Sequence, residues 1–212
     1  MSDPQPTAPG ATAPEPRYDR RTALVVVDVQ NDFADPSGGL YVTGGEEVVP
    51  VVNDQIAAAR AAGALVVYTQ DWHPATTPHF AKDGGVWPVH CVAGTWGAEL
   101  HPDLEVVPQA PVVRKGVDGE DGYSGFSVRD PVSGERSATE LGRHLDAAGI
   151  ERVVVVGLAG DVCVKATALD ARERGYTVTL PVAGTRMVEL EDGDGAAALA
   201  ALTAAGVEVT DR

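Results

Sequence analysis

One short segment of the chain combines an aspartate with three of the five histidines. These residues are Asp71, His73, His79 and His90. Imidazole nitrogens and a carboxylate are the ligand types that hold divalent transition metals in proteins. Asp71 and His73 are two residues apart, so both side chains point the same way in extended backbone. The segment therefore predicts a metal site, with chance clustering of surface histidines as the alternative.

A second candidate for chemistry is Cys163, which follows an apolar run and a glycine-containing turn. We expect it to begin a helix, where the positive end of the helix dipole would lower the pKa of the thiol. Backbone N–H groups between Gly160 and Cys163 could then face an oxyanion. The alternative is a small buried apolar residue. Cys91 has no helix start beside it and is predicted to be structural.

An aspartate and a lysine stand at the ends of two other apolar runs of the chain. Asp28 follows a run of valines, where partial desolvation would raise its pKa towards that of a useful general base. Its alternative role is that of a turn aspartate. Lys115 ends a shorter run and is one of three lysines, against thirteen arginines. Its alternative role is that of an edge residue with an exposed ammonium group.

The apolar runs alternate with helical patterns along the chain. Strands are predicted at 22–28, 64–69, 111–115, 152–157 and 176–180, with a sixth at 207–209, and helices at 46–62, 137–148, 163–174 and 195–205. Helix 137–148 is expected to open with a capping box from Ser137 to Glu140. Because the strands are apolar throughout, they predict a sheet buried on both faces. The fold class is therefore α/β, with three layers and a mostly parallel five- or six-stranded sheet.

This fold class places the candidate residues together. The carboxyl ends of parallel strands share one edge, so Asp28, Lys115 and Cys163 are expected to meet beside the metal segment. Residues 71–110 show no convincing regular element, and a loop of that length in a compact domain is usually functional. Residues 1–17 are rich in Pro, Ala and Thr and are predicted to form a disordered tail before a single domain at 18–212.

Composition limits the partners of the protein. The 16 basic and 31 acidic residues give a formal charge of −15, which argues against nucleic acid and anionic membrane as partners. Two cysteines do not form a disulfide framework, and neither a membrane-spanning run nor a signal-peptide pattern is evident. We expect a cytoplasmic protein that binds a small molecule. Self-association into a homo-oligomer stays open.

Several motifs then carry a resemblance to a known family. They are 27–33 (VDVQNDF), 44–45 (GG), 71–74 (DWHP), 79–80 (HF), 87–91 (WPVHC), 115–116 (KG), 123–126 (YSGF) and 157–164 (GLAGDVCV). With these motifs in this order, the chain resembles the nicotinamidases, also called pyrazinamidases, of the isochorismatase-like hydrolase superfamily. The match runs from about Thr22 to Val209. The metal segment is the more specific part, because many other members lack it.

The resemblance implies a cysteine hydrolase that converts nicotinamide to nicotinate and ammonia, as in NAD salvage, and that also deamidates pyrazinamide. Cys163 would attack the carboxamide, Asp28 would transfer protons, and Lys115 would hold both in place. The N–H groups of Ala159 and Cys163 would form the oxyanion hole, with a cis peptide between Leu158 and Ala159.

The resemblance also implies a metal and an aromatic pocket. One divalent ion (zinc, iron or manganese) would be held by Asp71, His73, His79 and His90 and would orient the substrate through its pyridine nitrogen. The ring would lie among Phe33, Trp87 and Tyr123. Two differences from relatives are expected: Val162 stands where they often carry a polar or aromatic residue, and the segment from Lys115 to Tyr123 is expected to differ in length.

Two other functions stay open at this point. The first is a different hydrolase of the same superfamily, acting on isochorismate, a carbamoyl amine or a ureide; the metal segment argues against it. The second is a non-catalytic metal-binding or redox-sensing protein that uses Cys163 and Cys91. Asp28 and Lys115 would have no purpose in such a protein.

Overall fold

The computed structural model describes residues 18–211 and arranges them around a parallel sheet. Its strands are β1 (Thr22–Val27), β2 (Leu65–Asp71), β3 (Val112–Lys115), β6 (Arg152–Leu158), β7 (Thr177–Pro181), β8 (Thr185–Arg186) and β9 (Glu208–Thr210), and a separate antiparallel hairpin joins β4 (Ser127–Arg129) to β5 (Arg136–Ala138). The order in the sheet is β3-β2-β1-β6-β7-β9, and the short β8 also pairs with β6. All of these sheet pairings are parallel. The predicted fold class is confirmed, with the two-residue β8 as a strand beyond the expected six.

Helices cover both faces of the sheet. They are α1 (Asn31–Ala34), α2 (Val48–Ala61), α3 (Leu141–Ala147), α4 (Lys165–Glu173) and α5 (Asp194–Ala204). Alternate residues of β1 face opposite sides, so that Val25 packs in one apolar cluster with α3, α4 and α5, and Val26 packs in the other with α2. This arrangement explains why β1 is apolar at each position from Ala23 to Val27 rather than at every second one.

The order of the strands creates a crevice between β1 and β6. The chain passes from β1 outward to β2 and β3, and then crosses to β6 on the other side of β1. Asp28 directly follows β1, and Cys163 lies five residues after β6 ends at Leu158. Ligands of open α/β sheets bind where the strand order reverses, beyond the carboxyl ends of the strands. The topology thus places both side chains at the usual position for a ligand site.

Two predicted element boundaries are wrong. Ser137 does not open a helix with a capping box, because residues 136–138 pair with 127–129 in the hairpin and α3 begins only at Leu141. Cys163 does not begin an α-helix either. It lies inside a π-helical turn, Gly160–Val164, which leads into α4.

Two further expectations concern parts of the chain outside the sheet. In segment 72–110, between β2 and β3, the only helical turns are two 3₁₀ turns, Ala81–Asp83 and Trp96–Ala98. The predicted disordered tail, 1–17, lies outside the described residues. Within residues 18–211, no helix combines the length and apolar character needed to cross a bilayer.

Candidate active site

The structure brings Asp28, Lys115 and Cys163 together at the carboxyl edge of the sheet, and we call them the strand-end triad. The Lys115 Nζ atom lies 2.6 Å from Asp28 Oδ2 and 3.9 Å from Cys163 Sγ. Lys115 Nζ also contacts Asp71 Oδ1. Lys115 and Asp28 are almost completely buried, and Cys163 is 7% exposed. An ammonium group, a carboxylate and a thiol therefore share one desolvated space.

Burial and charge set the protonation of Lys115 and Asp28. Burial disfavours the ammonium form of Lys115, but the carboxylates of Asp28 and Asp71 outweigh it and hold the pKa well above its usual value. For Asp28, burial outweighs the attraction of Lys115 and raises the pKa to about 6. The expectation of a raised pKa for Asp28 is confirmed. A carboxyl group with that pKa can both accept and return a proton near neutral pH.

The expected lowering of the Cys163 pKa is wrong. Burial of the thiol raises its pKa well above the usual value, and the carboxylates of Asp28 and Asp71 add to this, although Lys115 opposes it. Removing the thiolate from water raises the pKa of Cys163 by more than the positive end of a short helical turn lowers it. Cys163 thus rests as a thiol and needs a base to activate it, and Asp28 lies beside it.

The backbone around Asp28 has an unusual conformation. Asp28 has a φ of +49°, the left-handed region that Asp tolerates better than most residues. The Thr69 hydroxyl donates a hydrogen bond of 2.6 Å to Asp28 Oδ1 and so fixes the carboxylate. Gly157, with a φ of +116°, lies on β6 against Val27, where a Cβ atom would overlap the Val27 carbonyl. The role of Thr69 was not predicted from the sequence, because threonine is an ordinary residue within a strand.

The side chains of His73, His79 and His90 form a buried cluster, which we call the histidine set. One ring nitrogen of each lies within 4.8 Å of the others. Asp71 Oδ2 is 3.8 Å from Nε2 of both His73 and His90. Both ring nitrogens of His73 are buried without a hydrogen-bond partner. Unpaired buried polar atoms are costly, and this donor set fits a divalent transition metal, which would bind one of the two ring nitrogens of His73.

Two histidines of the set are oriented by other groups. His79 Nδ1 lies 2.7 Å from Asp121 Oδ1, and His90 Nδ1 lies 2.7 Å from the Pro88 carbonyl oxygen. Burial lowers the pKa of His79, while the contact with Asp121 opposes this shift. Such contacts on one ring nitrogen leave the other free for a metal. The sequence reasoning missed Asp121.

The segment that carries the histidine set is held by polar residues after β1. Gln30 donates hydrogen bonds of 2.8 and 2.9 Å to the Asp71 and Ala98 carbonyls and accepts one of 2.8 Å from the Asp71 N–H. Asp32 accepts a hydrogen bond of 2.6 Å from the Cys91 N–H, next to His90. These side-chain hydrogen bonds hold the segment in place, since it lacks regular elements that could do so. Gln30 and Asp32 both lie in the 27–33 motif, but the sequence indicated no supporting role for them beyond the family resemblance.

A pocket lies between Cys163 of the triad and His79 and His90 of the histidine set. It is lined by Phe33, Leu40, Asp71, His79, Trp87, His90, Gly122, Tyr123, Ala159, Val162, Cys163 and Val188. Trp87 Nε1 donates a hydrogen bond of 2.9 Å to the Tyr123 hydroxyl, which holds the two rings against each other. All three aromatic residues expected around a substrate ring are therefore in the wall, Tyr123 included. His73 and the buried Asp28 and Lys115 lie behind it.

The turn between β6 and α4 forms the remaining side of the pocket. The peptide between Leu158 and Ala159 is cis, as the resemblance implied. Asp161 accepts hydrogen bonds of 2.9 Å from the N–H groups of Val188 and Glu189. Val188 and Val162 both line the pocket, so this contact fixes part of its apolar wall. Asp161 is a further residue that sequence reasoning missed, since its partners are 27 and 28 residues away.

Comparison with known proteins places this architecture in a family. The isochorismatase domain model matches residues 22–212. The nicotinamidase of Escherichia coli is 38% identical over 200 residues, covering 87% of this chain and 92% of the relative.

Two solved structures add to this. The pyrazinamidase of Pyrococcus horikoshii, in complex with zinc, superposes with a TM-score of 0.80 at 35% identity over 90% of this chain and 98% of that one. The PnC1 protein of L. infantum, in complex with nicotinate, gives a TM-score of 0.82 at 37% identity over 91% and 93%. The chain therefore belongs to the isochorismatase family, within the group of nicotinamidases and pyrazinamidases.

Proposed function

We propose that the protein hydrolyses nicotinamide to nicotinate and ammonia through a thioester on Cys163. The observation that carries this proposal is the shared pocket: a buried thiol, a set of metal-type ligands and three aromatic side chains all face one space. A flat heteroaromatic carboxamide matches such a pocket, because its ring can pack on aromatic faces while the amide reaches the thiol. The relatives named nicotinamidase and pyrazinamidase support the same substrate class.

The first half of the reaction forms the thioester. Cys163 Sγ bonds to the carboxamide carbon while the thiol proton passes to Asp28. The negative charge that develops on the carbonyl oxygen is stabilised by the N–H groups of Ala159 and Cys163. Asp28 then returns the proton to the departing nitrogen, the C–N bond breaks, and ammonia leaves.

The second half hydrolyses the thioester with the same groups. Water gives a proton to Asp28 as its oxygen bonds to the acyl carbon. The C–S bond breaks, the Cys163 sulfur regains the proton, and nicotinate leaves. The pKa of about 6 for Asp28 suits a group that must gain and lose a proton in each half-reaction.

Lys115 supports both halves by its charge. Its ammonium group lies 2.6 Å from Asp28 Oδ2 and 3.9 Å from Cys163 Sγ. It can stabilise a thiolate as the proton leaves, and it holds the carboxylate that accepts the proton. Burial disfavours the charge of Lys115, but the surrounding carboxylates hold its pKa well above the usual value, so it stays charged throughout the cycle.

We propose that Asp71, His73, His79 and His90 hold one divalent transition metal ion beside the triad. When bound, the ion supplies a Lewis-acidic position that can accept the ring nitrogen of the substrate. Three imidazoles and a carboxylate suit zinc, iron or manganese. Asp71 keeps Oδ1 on Lys115 and turns Oδ2 to the histidines, so the protein fixes this ligand from the side of the triad.

The substrate ring would be bounded by Phe33, Trp87 and Tyr123, with Val162 on the side of the turn after β6. The pocket offers similar contacts to a pyridine and a pyrazine ring, so pyrazinamide is a second expected substrate. A reducing, cytoplasmic setting suits the proposal, because both cysteines are free and Cys163 must stay a thiol.

The test is an ammonia-release assay on the purified protein with nicotinamide, pyrazinamide, a carbamoyl amine and a ureide, with elemental analysis of the same sample. We expect turnover of the two ring carboxamides and about one transition metal ion per chain. Turnover of the non-aromatic amides alone would favour another hydrolase of the superfamily. Labelling of Cys163 without turnover of any amide would favour a redox-sensing or metal-binding protein.

A further inference from the structure

The loop from 116 to 122 places a carboxylate on the back of the histidine set. We propose that Asp121 is a positioning residue of the metal site, which holds His79 with its Nε2 atom turned to the ion. Asp121 Oδ1 lies 2.7 Å from His79 Nδ1, and only 8% of Asp121 and 4% of His79 are exposed. The inference rests on the proposed metal site and adds a residue to it.

The chemistry of the contact fixes the tautomer of His79. A carboxylate only accepts hydrogen bonds, so the Nδ1 atom that faces it must carry the proton. The Nε2 atom then keeps its lone pair for a metal. A carboxylate partner also makes the imidazole a stronger ligand, as in other carboxylate–histidine–metal sites.

The histidine set is oriented unequally. In the described part of the chain, His73 has no hydrogen-bond partner on either ring nitrogen, and His90 is held by a neutral backbone carbonyl. His79 alone has a carboxylate at hydrogen-bond distance, since Asp71 is 3.8 Å from the other two rings. Asp121 therefore adds a second negative charge to the metal site, beside that of Asp71.

Both partners of this contact are held by their backbones. Asp121 and Arg129 exchange two backbone hydrogen bonds, of 2.8 and 3.0 Å, which join the loop to β4. The Thr77 hydroxyl accepts a hydrogen bond of 3.1 Å from the His79 N–H and donates one of 2.6 Å to the Gly119 carbonyl. Thr77 thus ties the loop of His79 to the loop of Asp121. The side-chain contact is a fixed feature of two linked loops.

The other oxygen of Asp121 has a weaker partner. Arg129 Nη1 lies 3.9 Å from Asp121 Oδ2, and the Arg129 side chain is 54% exposed. Exposed ion pairs of this kind contribute little. The carboxylate of Asp121 therefore interacts mainly with His79. We expect Arg129→Ala to change the affinity for metal less than twofold.

The test measures the affinity of the metal-stripped, full-length protein for Zn²⁺ and Mn²⁺ by competition with a chromogenic chelator. Removing a carboxylate behind a ligating histidine typically weakens metal binding by about 10- to 100-fold. We expect Asp121→Ala to fall in that range and Asp121→Asn to lie at its lower end, because the amide oxygen can still accept from Nδ1. Asp118→Asn removes the same charge from an exposed position of the same loop and serves as the matched control.

A double-mutant cycle separates positioning from a general effect on the fold. If Asp121 acts through His79, Asp121→Asn must change the affinity less than twofold once His79 is alanine. The His79 tautomer, read from its ¹⁵N chemical shifts in the metal-free protein, gives a second readout that does not require metal. Wild-type protein should carry the proton on Nδ1, and Asp121→Ala should lose this preference.

Three outcomes would overturn the inference. Unchanged affinity in Asp121→Ala with a folded protein would show that the carboxylate does not matter to the ion. Equal losses from Asp121→Asn with and without His79, or an unchanged tautomer, would show that it does not act through this ring. Wild-type protein that binds neither ion would remove the proposed metal site and this inference with it, whereas the first two outcomes leave the metal site intact.

Discussion

The strand-end triad reaches the pocket through Cys163, and the histidine set reaches it through His79 and His90, but the two groups are built differently. The triad comes from the end of β3, the residue after β1 and the turn after β6, and the strand order brings these three positions to one edge of the sheet. The histidine set comes from a long segment with only short helical turns, held by side chains such as Gln30 and Asp32. The backbone hydrogen bonds of the sheet position the triad, whereas individual side-chain hydrogen bonds position the histidine set.

The two regions also differ in how complete they are. Within the triad, Lys115 forms ion pairs with Asp28 and Asp71, and the Thr69 hydroxyl donates a hydrogen bond to Asp28 Oδ1. In the histidine set, the buried nitrogens of His73 have no hydrogen-bond partner in residues 18–211. Each charged group of the triad thus lies against an opposite charge of the protein, whereas the histidine set offers a buried ring nitrogen to the proposed metal ion. We infer that the triad performs the bond changes and that the metal site holds the substrate.

The largest effect should come from removing the nucleophile of the triad. Cys163→Ala is expected to lower kcat for ammonia release by at least about 10⁴-fold, because no thioester can form. The variant should keep the metal and the far-ultraviolet circular dichroism of the wild type. Cys91→Ala is the matched control and should keep activity within a few-fold, since that thiol lies outside the pocket wall. Substantial activity in Cys163→Ala would remove the triad from the chemistry.

Replacing the base should give the next largest loss and change the pH profile. Asp28→Asn is expected to lower kcat/KM by about 10²- to 10⁴-fold. In the wild type, Asp28 accepts the proton only when ionised, and its pKa is about 6. Wild-type kcat/KM should therefore fall as the pH drops below about 6. A profile measured from pH 4.5 to 8 should show this acid limb in the wild type, and its persistence in Asp28→Asn would assign the limb to another group.

A smaller and different effect is expected in the histidine set. His73→Ala should lose most of the bound metal and raise KM for nicotinamide by at least about tenfold, with a lesser change in kcat. Metal content by elemental analysis and steady-state kinetics on the same sample measure both. His144→Ala, which changes a histidine of α3 well away from the pocket, is the control. An unchanged KM in a metal-free His73→Ala protein would contradict the role given to the histidine set.

The smallest expected effect tests how the triad is tuned. Thr69→Val removes the hydrogen bond that lowers the pKa of Asp28. A hydrogen bond to a charged group contributes about 1.5 kcal/mol and a pKa unit corresponds to about 1.4 kcal/mol, so the acid limb should move up by about one pH unit. Thr69→Ser keeps the hydroxyl and should keep the limb in place. A limb that stays in place in Thr69→Val would mean that Thr69 does not tune the base.

The sequence carried more information about the triad than about its surroundings. Buried parallel strands are apolar at every position, so an acid or a lysine at the end of such a run is conspicuous, and strand order then brings Asp28 and Lys115 together. The metal-type ligands were also evident from the sequence, because histidine is rare in this chain and a cluster of histidines stands out.

The supporting residues could not be found in this way. Asp121 meets His79 across 42 residues of chain, and Thr69 meets Asp28 across 41. Such contacts depend on how loops and strands pack, which no local pattern records. The prediction of a lowered pKa for Cys163 was wrong for a related reason: the sequence indicated a helix near this residue, but it showed neither the π-helical turn that contains Cys163 nor the burial that raises the pKa of the thiol.

The division of labour between the two regions is tested most directly by nicotinamide deamidation kinetics on the metal-loaded and the metal-stripped protein. We expect ammonia release by the loaded protein, and on stripping a rise in KM with kcat largely retained at saturating substrate. A collapse of kcat at unchanged KM would show that the metal site, and not the triad alone, performs the bond changes. No ammonia release from the loaded protein would contradict the proposed reaction itself.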